Sequence, residues 1–162
     1  MTAKKETKAK FATFDDMYQV DEELSTEGVP IEWGFNAKDQ PIKLFIAEAG
    51  NKNHQKARRK YEKALERSRK NKSRYELIMA KIVAEGVLVN WENILDSNGK
   101  TVPATIENKV AALDKYERLF IDVLEIANNP ENFRPVDADD AEEETEGNSE
   151  TSSDGQLNTE DT

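Results

Sequence analysis

The chain has 162 residues, with 33 Asp or Glu against 23 Lys or Arg, a formal charge of −10 and no cysteine. Without cysteine there are no disulfides, thiolate nucleophiles or cysteine-based zinc sites, a composition that fits a reducing cytosol. The longest apolar stretches, such as Ile82–Ala84 and Val87–Val89, fall far short of the roughly 20 residues of a membrane-spanning helix, so no membrane partner is expected.

Residues 1–28 are polar, with scattered Phe11, Phe14, Met17, Tyr18 and Val20, and are expected to form an N-terminal arm that is only partly ordered. Four Lys lie between Met1 and Lys10, but Phe11–Asp16 follows where a signal peptide requires a long apolar region, so no secretion signal is expected. From Val29 the pattern changes. Ile31, Trp33 and Phe35 alternate with Glu32, Gly34 and Asn36, and Ile42, Leu44 and Ile46 follow the turn-rich Ala37–Pro41. This period of two predicts a β-hairpin, which must pack on something because an isolated hairpin is marginal in water.

Asn51 or Asn53 is a candidate cap for a helix through His54, Arg58, Tyr61, Leu65 and Arg69, with a thin apolar stripe at Ala57, Tyr61, Ala64 and Leu65. Asn71-Lys72-Ser73 is read as an interruption. Beyond it, Tyr75, Leu77, Ile78, Ile82, Val83, Val87 and Leu88 predict a broad core helix running towards Trp91. Gly86 inside that pattern costs about 1 kcal/mol relative to Ala, so either the helix bends there or something packs against the missing side chain. Asp96–Lys100 reads as an Asn-Gly turn, Thr105 as the N-cap of a helix from Ile106 to Leu113, and Tyr116–Ala127 as a last helix stopped by Asn128-Asn129-Pro130. Phe133 is the final core anchor. The predicted architecture is a small α+β domain over residues 29–135, mainly α-helical, with an N-terminal β-hairpin.

Val136 to Thr162 holds eleven Asp or Glu, no Lys or Arg, and one large aliphatic residue, Leu157. It cannot build a core, and a disordered acidic C-terminal tail is expected. Removing its −11 from the −10 of the whole chain leaves residues 1–135 at +1. Within them, Lys52–Arg74 carries eleven Lys or Arg against Glu62 and Glu66. Such a segment can bind phosphate, with Tyr61 and Tyr75 available for stacking, or meet an acidic partner, the chain's own tail included.

Chemistry of other kinds finds little support. His54 is the single histidine and has no cysteine or second histidine at ligand spacing, so it is read as a surface residue, neither metal ligand nor catalytic base. The tail carboxylates lack anything to bury them, and as a calcium loop Asp137–Asn148 places Glu142 at the turn glycine and Asn148 at the bidentate Glu. There is no phosphate-binding glycine motif. No cofactor, metal or catalytic residue is therefore assigned, and the chain is expected not to be an enzyme. Core packing is the expectation for Trp33 and Trp91, and an exposed one would mark an interface. Ile78, Ile82, Trp91, Leu119, Phe120 and Leu124 are expected in the core, and Trp33, Arg58, Arg59 and Lys63 are the candidate partner-binding residues.

From Ile42 to Phe133 the layout resembles the tail assembly chaperones of tailed bacteriophages. The resemblance is carried by a β-rich start, a charged helix, a longer helix reaching Val87-Leu88-Val89-Asn90-Trp91-Glu92-Asn93-Ile94, the turn Asp96–Pro103, two short helices, and the ending Glu125–Phe133. The basic charge of 52–74 departs from that family's pattern. The resemblance implies a non-enzymatic protein of the host cell cytoplasm that binds the tail tape-measure protein, keeps it soluble, helps recruit tail-tube subunits, and is lost from the finished virion. A homo-oligomer is compatible with it. Two other readings stand beside it: a nucleic-acid-binding protein using 52–74 with an autoinhibitory acidic tail, and a structural head or tail completion protein of the virion.

Overall fold

The computed structural model describes residues 13–135. The expected acidic tail and the first twelve residues of the arm lie outside the described residues. The architecture is α+β and mainly helical, with a three-stranded antiparallel sheet.

The chain opens with two short helices, α1 (Phe14–Tyr18) and α2 (Glu22–Glu27), capped by the Thr13 hydroxyl and the Asp21 carboxylate. They are tied to the domain at several points. Asp21 N–H donates to the Phe133 carbonyl at 2.8 Å, the Ser25 hydroxyl donates to the Glu48 carboxylate at 2.6 Å, and Glu48 N–H donates to the Ser25 carbonyl. This part of the arm therefore has local structure that its weak apolar pattern does not announce.

The hairpin forms as the alternation predicts: β1 (Val29–Phe35) pairs with β2 (Pro41–Ile46). Its turn is held by Asn36, whose side-chain oxygen accepts from Lys38 and Gln40 N–H. The helix expected to continue to Trp91 stops at Gly86, and Leu88–Glu92 forms a third strand, β3, on the far side of β2. Apolar periodicity alone does not separate the two outcomes, because Val87, which caps α4, and Leu88, which opens β3, are fully buried as they would be on a continuing helix. The strand completes the hairpin's core face. Leu44 sits between Ile31 and Trp91, and Ile46 between Val29 and Leu88. On the opposite face Lys43 sits between Glu32 and Glu92, an alternating charge row that stabilises cross-strand pairing.

Two long helices follow the hairpin: α3 (Lys52–Ser68), capped by Asn51, and α4 (Lys72–Gly86), capped by Asn71. They form an antiparallel pair joined where the Asn71-Lys72-Ser73 break was expected. Their interface buries Ala57, Ile78 and Ile82, with Tyr61, Ala64, Leu65 and Met79 around them. Of the two explanations for Gly86, close packing holds and a bend does not. The helix ends there, and a Cβ on Gly86 would stand 2.4 Å from the His54 Cα, so α3 begins directly against its backbone.

After the Asp96–Lys100 turn come α5 (Ile106–Lys115), capped by Thr105, and α6 (Glu117–Ala127), with Tyr116 as the non-helical hinge between them. A 3-10 turn, Pro130–Phe133, buries Phe133 completely. The main core gathers Leu44, Ile46, Val83, Val87, Leu88, Trp91, Leu113 and Val123. Trp91 is buried and its indole N–H donates to the Val102 carbonyl at 2.8 Å. Lys109 is buried as well, only 6 % exposed, and its ammonium donates to the carbonyls of Leu88 and Val89 at 2.9 and 3.2 Å. Burial lowers the Lys109 pKa, while the nearby Glu85 charge opposes the shift.

Candidate partner-binding groove

Helix α6 carries two apolar stripes. At 100° per residue, Leu119, Val123, Ile126 and Ala127 share one side, and Val123 and Ala127 are buried against the sheet and α4. Phe120, Ile121 and Leu124 lie roughly a third of a turn away. They are less covered: Phe120 and Leu124 are half-buried and Ile121 is 39 % exposed. Ile78, Ile82 and Trp91 are buried as expected, whereas Leu119, Phe120 and Leu124 are only partly so.

The second stripe does not stand alone. Phe120 and Ile121 form one wall of a groove whose other wall is α4, through Tyr75 and Met79, with Leu113 of α5 between them. Lys72, Glu76, Asp114, Lys115 and Glu117 line its margins. A second depression continues from the same two residues along Leu124 to Asn128 and Asn129. The result is an apolar channel with charged edges of both signs, formed by elements that meet only because Tyr116 breaks the chain between α5 and α6. An amphipathic helix suits such a channel, since its apolar face can fill the floor while its flanks meet the charges. Nothing in the sequence periodicity separated this stripe from the core stripe of the same helix; the signal was the excess of apolar positions on α6 over what one buried face requires.

The four residues singled out from the sequence lie elsewhere. Trp33 is on β1, 38 % exposed, contrary to the core expectation. It is the extra residue of a bulge between Glu32 and Gly34, and Phe35 beyond it is more exposed still. Arg58, Arg59 and Lys63 are exposed on α3. Arg58 and Arg59 line a groove along α3 with Arg69, Glu62, Glu66 and Leu65; Trp33 and Lys63 do not line it. Of the eleven cations between Lys52 and Arg74, Lys60 pairs with Glu85 at 2.9 Å and Lys72 with Glu76 at 3.6 Å. The other nine have no ion-pair partner among the described residues.

Glu85 is an anchor of the α3–α4 pair. The Tyr61 hydroxyl donates to it at 2.5 Å and the Lys60 ammonium at 2.9 Å. Burial pushes the Glu85 pKa up, but the hydrogen bonds from Tyr61 and Lys60 outweigh it and the net shift is downward. His54 has a structural role. Its Nδ1 accepts the Gly50 N–H at 2.8 Å, closing the turn into α3, and burial, then the Arg58 charge, lower its pKa. Among the described residues no cluster of His, Asp and Glu is placed to hold a metal ion, and no helix is long and apolar enough to cross a membrane.

A family model described as YdaY prophage protein matches residues 47–147, about three fifths of the chain. Comparison with curated proteins and with solved structures returned no match. The matched span begins at the end of β2 and takes in both helix pairs and β3.

Proposed function

From the premise that this chain belongs to the YdaY prophage protein family, and is thus a bacteriophage-related protein, we propose that it is a tail assembly chaperone. In this reading it holds an amphipathic helical segment of the tape-measure protein in the host cytoplasm, keeps that long protein soluble and helps recruit tail-tube subunits. The role is non-enzymatic and ends before the particle is complete.

The observation that supports the reading is the groove between α4 and α6. Phe120 and Leu124 are only partly covered by the core and Ile121 is exposed beside them, and exposed apolar surface rimmed by polar residues is a mark of a binding site. The client expected from this geometry is an extended helix with apolar residues at i, i+3, i+4 and i+7. The ordered segments from Ile42 to Phe133, which resemble those of tail assembly chaperones, point to the same class of client.

The test is coexpression with the tape-measure protein of the same phage, followed by pull-down under nuclease and moderate salt. Soluble co-purification that is lost in Ile121→Asp supports the proposal. An insoluble, unbound client, or equal retention by Ile121→Asp, overturns it.

A further inference from the structure

A different surface supports a second inference. Along α3, Lys52 and Lys56, Lys56 and Lys60, Arg59 and Lys63, and Lys63 and Arg67 are like charges spaced four residues apart. Each such pair disfavours the helix, and Glu62 and Glu66 are the only carboxylates on α3 to offset them. Nine cations of the segment are without an ion-pair partner among the described residues. Arg58, Arg59 and Arg69 line one groove with Leu65 and Tyr75, where Glu62 and Glu66 leave an excess of one positive charge. This is a helix that gains from an anionic cover, and guanidinium groups are well suited to carboxylates because each can donate two parallel hydrogen bonds.

The same chain contains a segment of that chemistry. Residues 136–162 bring eleven carboxylates and no cation, against a net charge of +9 between Lys52 and Arg74. The point of departure is favourable. Phe133 is buried beside α2, and the Ala127 carbonyl, six residues earlier, accepts from Ala49 N–H just ahead of the α3 cap. Twenty-seven residues reach at most about 90 Å, whereas α3 is about 26 Å long and a domain of this size has a radius of gyration of about 14 Å. Tethering makes the contact intramolecular, so the local concentration of carboxylates is set by the linker and not by the amount of protein.

We propose that the acidic C-terminal segment of this chain, residues 136–162, docks on the Arg58–Arg59–Arg69 groove of α3 and masks that face from other polyanions. The contact is electrostatic, broad and salt-sensitive. The two grooves share only Tyr75 at their boundary; the tail contact rests on the arginines of α3 and the client reading on the apolar stripe of α6, so either can fail without the other.

The chain has no cysteine, so Ser153→Cys gives a single site for a nitroxide label on the full-length protein. At about 0.01 M salt the label is expected to broaden the amide signals of Arg58, Arg59, Glu62, Glu66 and Arg69 selectively, and at about 1 M, where screening acts within roughly 3 Å, to leave them sharp. The same chain with Asp137, Asp139, Asp140, Glu142, Glu143, Glu144 and Glu146 changed to their amides is expected to show no such broadening. Absence of broadening on α3 at low salt, or its persistence in the amide variant, overturns the proposal. So does broadening seen only when labelled chains are mixed with separate isotope-labelled chains, which would assign the contact to a second copy.

Discussion

Replacing Gly86 with Ala separates helix propensity from packing, because the two predict opposite signs. Gly86 is the last residue of α4, and its backbone is not in the left-handed region, so Ala is allowed conformationally and should gain about 1 kcal/mol from propensity alone. The new Cβ, however, would lie 2.4 Å from the His54 Cα and 2.7 Å from its nitrogen. These are backbone atoms that no rotamer change can clear, and restoring ordinary contact at 3.4 Å requires the first turn of α3 to move by about 1 Å. That movement also strains the bond from the Asn51 amide to the Gly86 carbonyl, 2.8 Å long and buried. Overpacking of this kind costs about 1–3 kcal/mol, and weakening a buried hydrogen bond about 1 kcal/mol more. With the propensity gain set against these costs, the expected net loss is about 1–3 kcal/mol, which for a domain of this length lowers Tm by about 4–12 °C. Thermal and urea unfolding followed by circular dichroism give the answer. A Tm equal to or above that of the parent would mean that α3 is not seated against Gly86, and the account of how the two helix pairs join the sheet would be wrong.

Asn51→Ala removes the cap that accepts from Asn53 and His54 N–H and the donor to the Glu48 and Gly86 carbonyls; a loss of about 2–3 kcal/mol in urea unfolding is expected, and Asn51→Asp should recover part of it. For His54, whose Nδ1 must stay unprotonated to accept from Gly50, the folded pKa is lowered from 6.5. The unfolded chain thus binds the proton first, so this contribution to stability is complete above 6.5 and is lost as pH falls from there through the lower folded pKa. An imidazole titration midpoint above 6.5 would refute this, and the stability lost between pH 7.5 and 5.5 should be smaller in His54→Gln than in the parent. Trp91→Phe should cost about 1–2 kcal/mol, since it strands the Val102 carbonyl and removes apolar volume from the core. Ile121→Asp should leave Tm within about 2 °C, because the side chain is already partly in water, while abolishing retention of a helical client; a large fall in Tm would place Ile121 in the core instead.

Much of the fold was legible in the chain because its local signals agree with its tertiary demands. The hairpin, the Asn51 and Thr105 caps, the break at Asn71 and the stop at Asn128-Asn129-Pro130 all follow from residues whose chemistry acts over four or five positions. Strand β3 was missed for a specific reason. Val87 and Leu88 extend the apolar rhythm of α4, and what makes a strand from Leu88 onward is the open edge of β2, which lies about forty residues away and leaves no mark on the local pattern. The warning was Gly86 followed by β-branched Val87 and Val89, a stop signal leading into strand formers. Trp33 was misplaced because alternation assigned it to the inner face, whereas the bulge at Glu32/Gly34 shifts the phase of the strand. Of the candidate site residues, Arg58 and Arg59 do share a groove, but the apolar channel could not be seen beforehand, since it arises from the angle that Tyr116 introduces between two helices.

The buried ammonium of Lys109 has a consequence for how this sheet behaves in a crowded cell. A β-sheet has two rims, and each is an invitation to another strand. At the rim of β3 the carbonyls of Leu88 and Val89 are already occupied by Lys109, so an arriving strand would have to displace a cation from the acceptors it needs. The rim of β1 is spoiled in another way, by Pro30, which has no N–H to offer, and by the bulge two residues on. With both rims closed in this way, the sheet offers an arriving strand few free backbone partners, and contacts with other chains fall to its side chains.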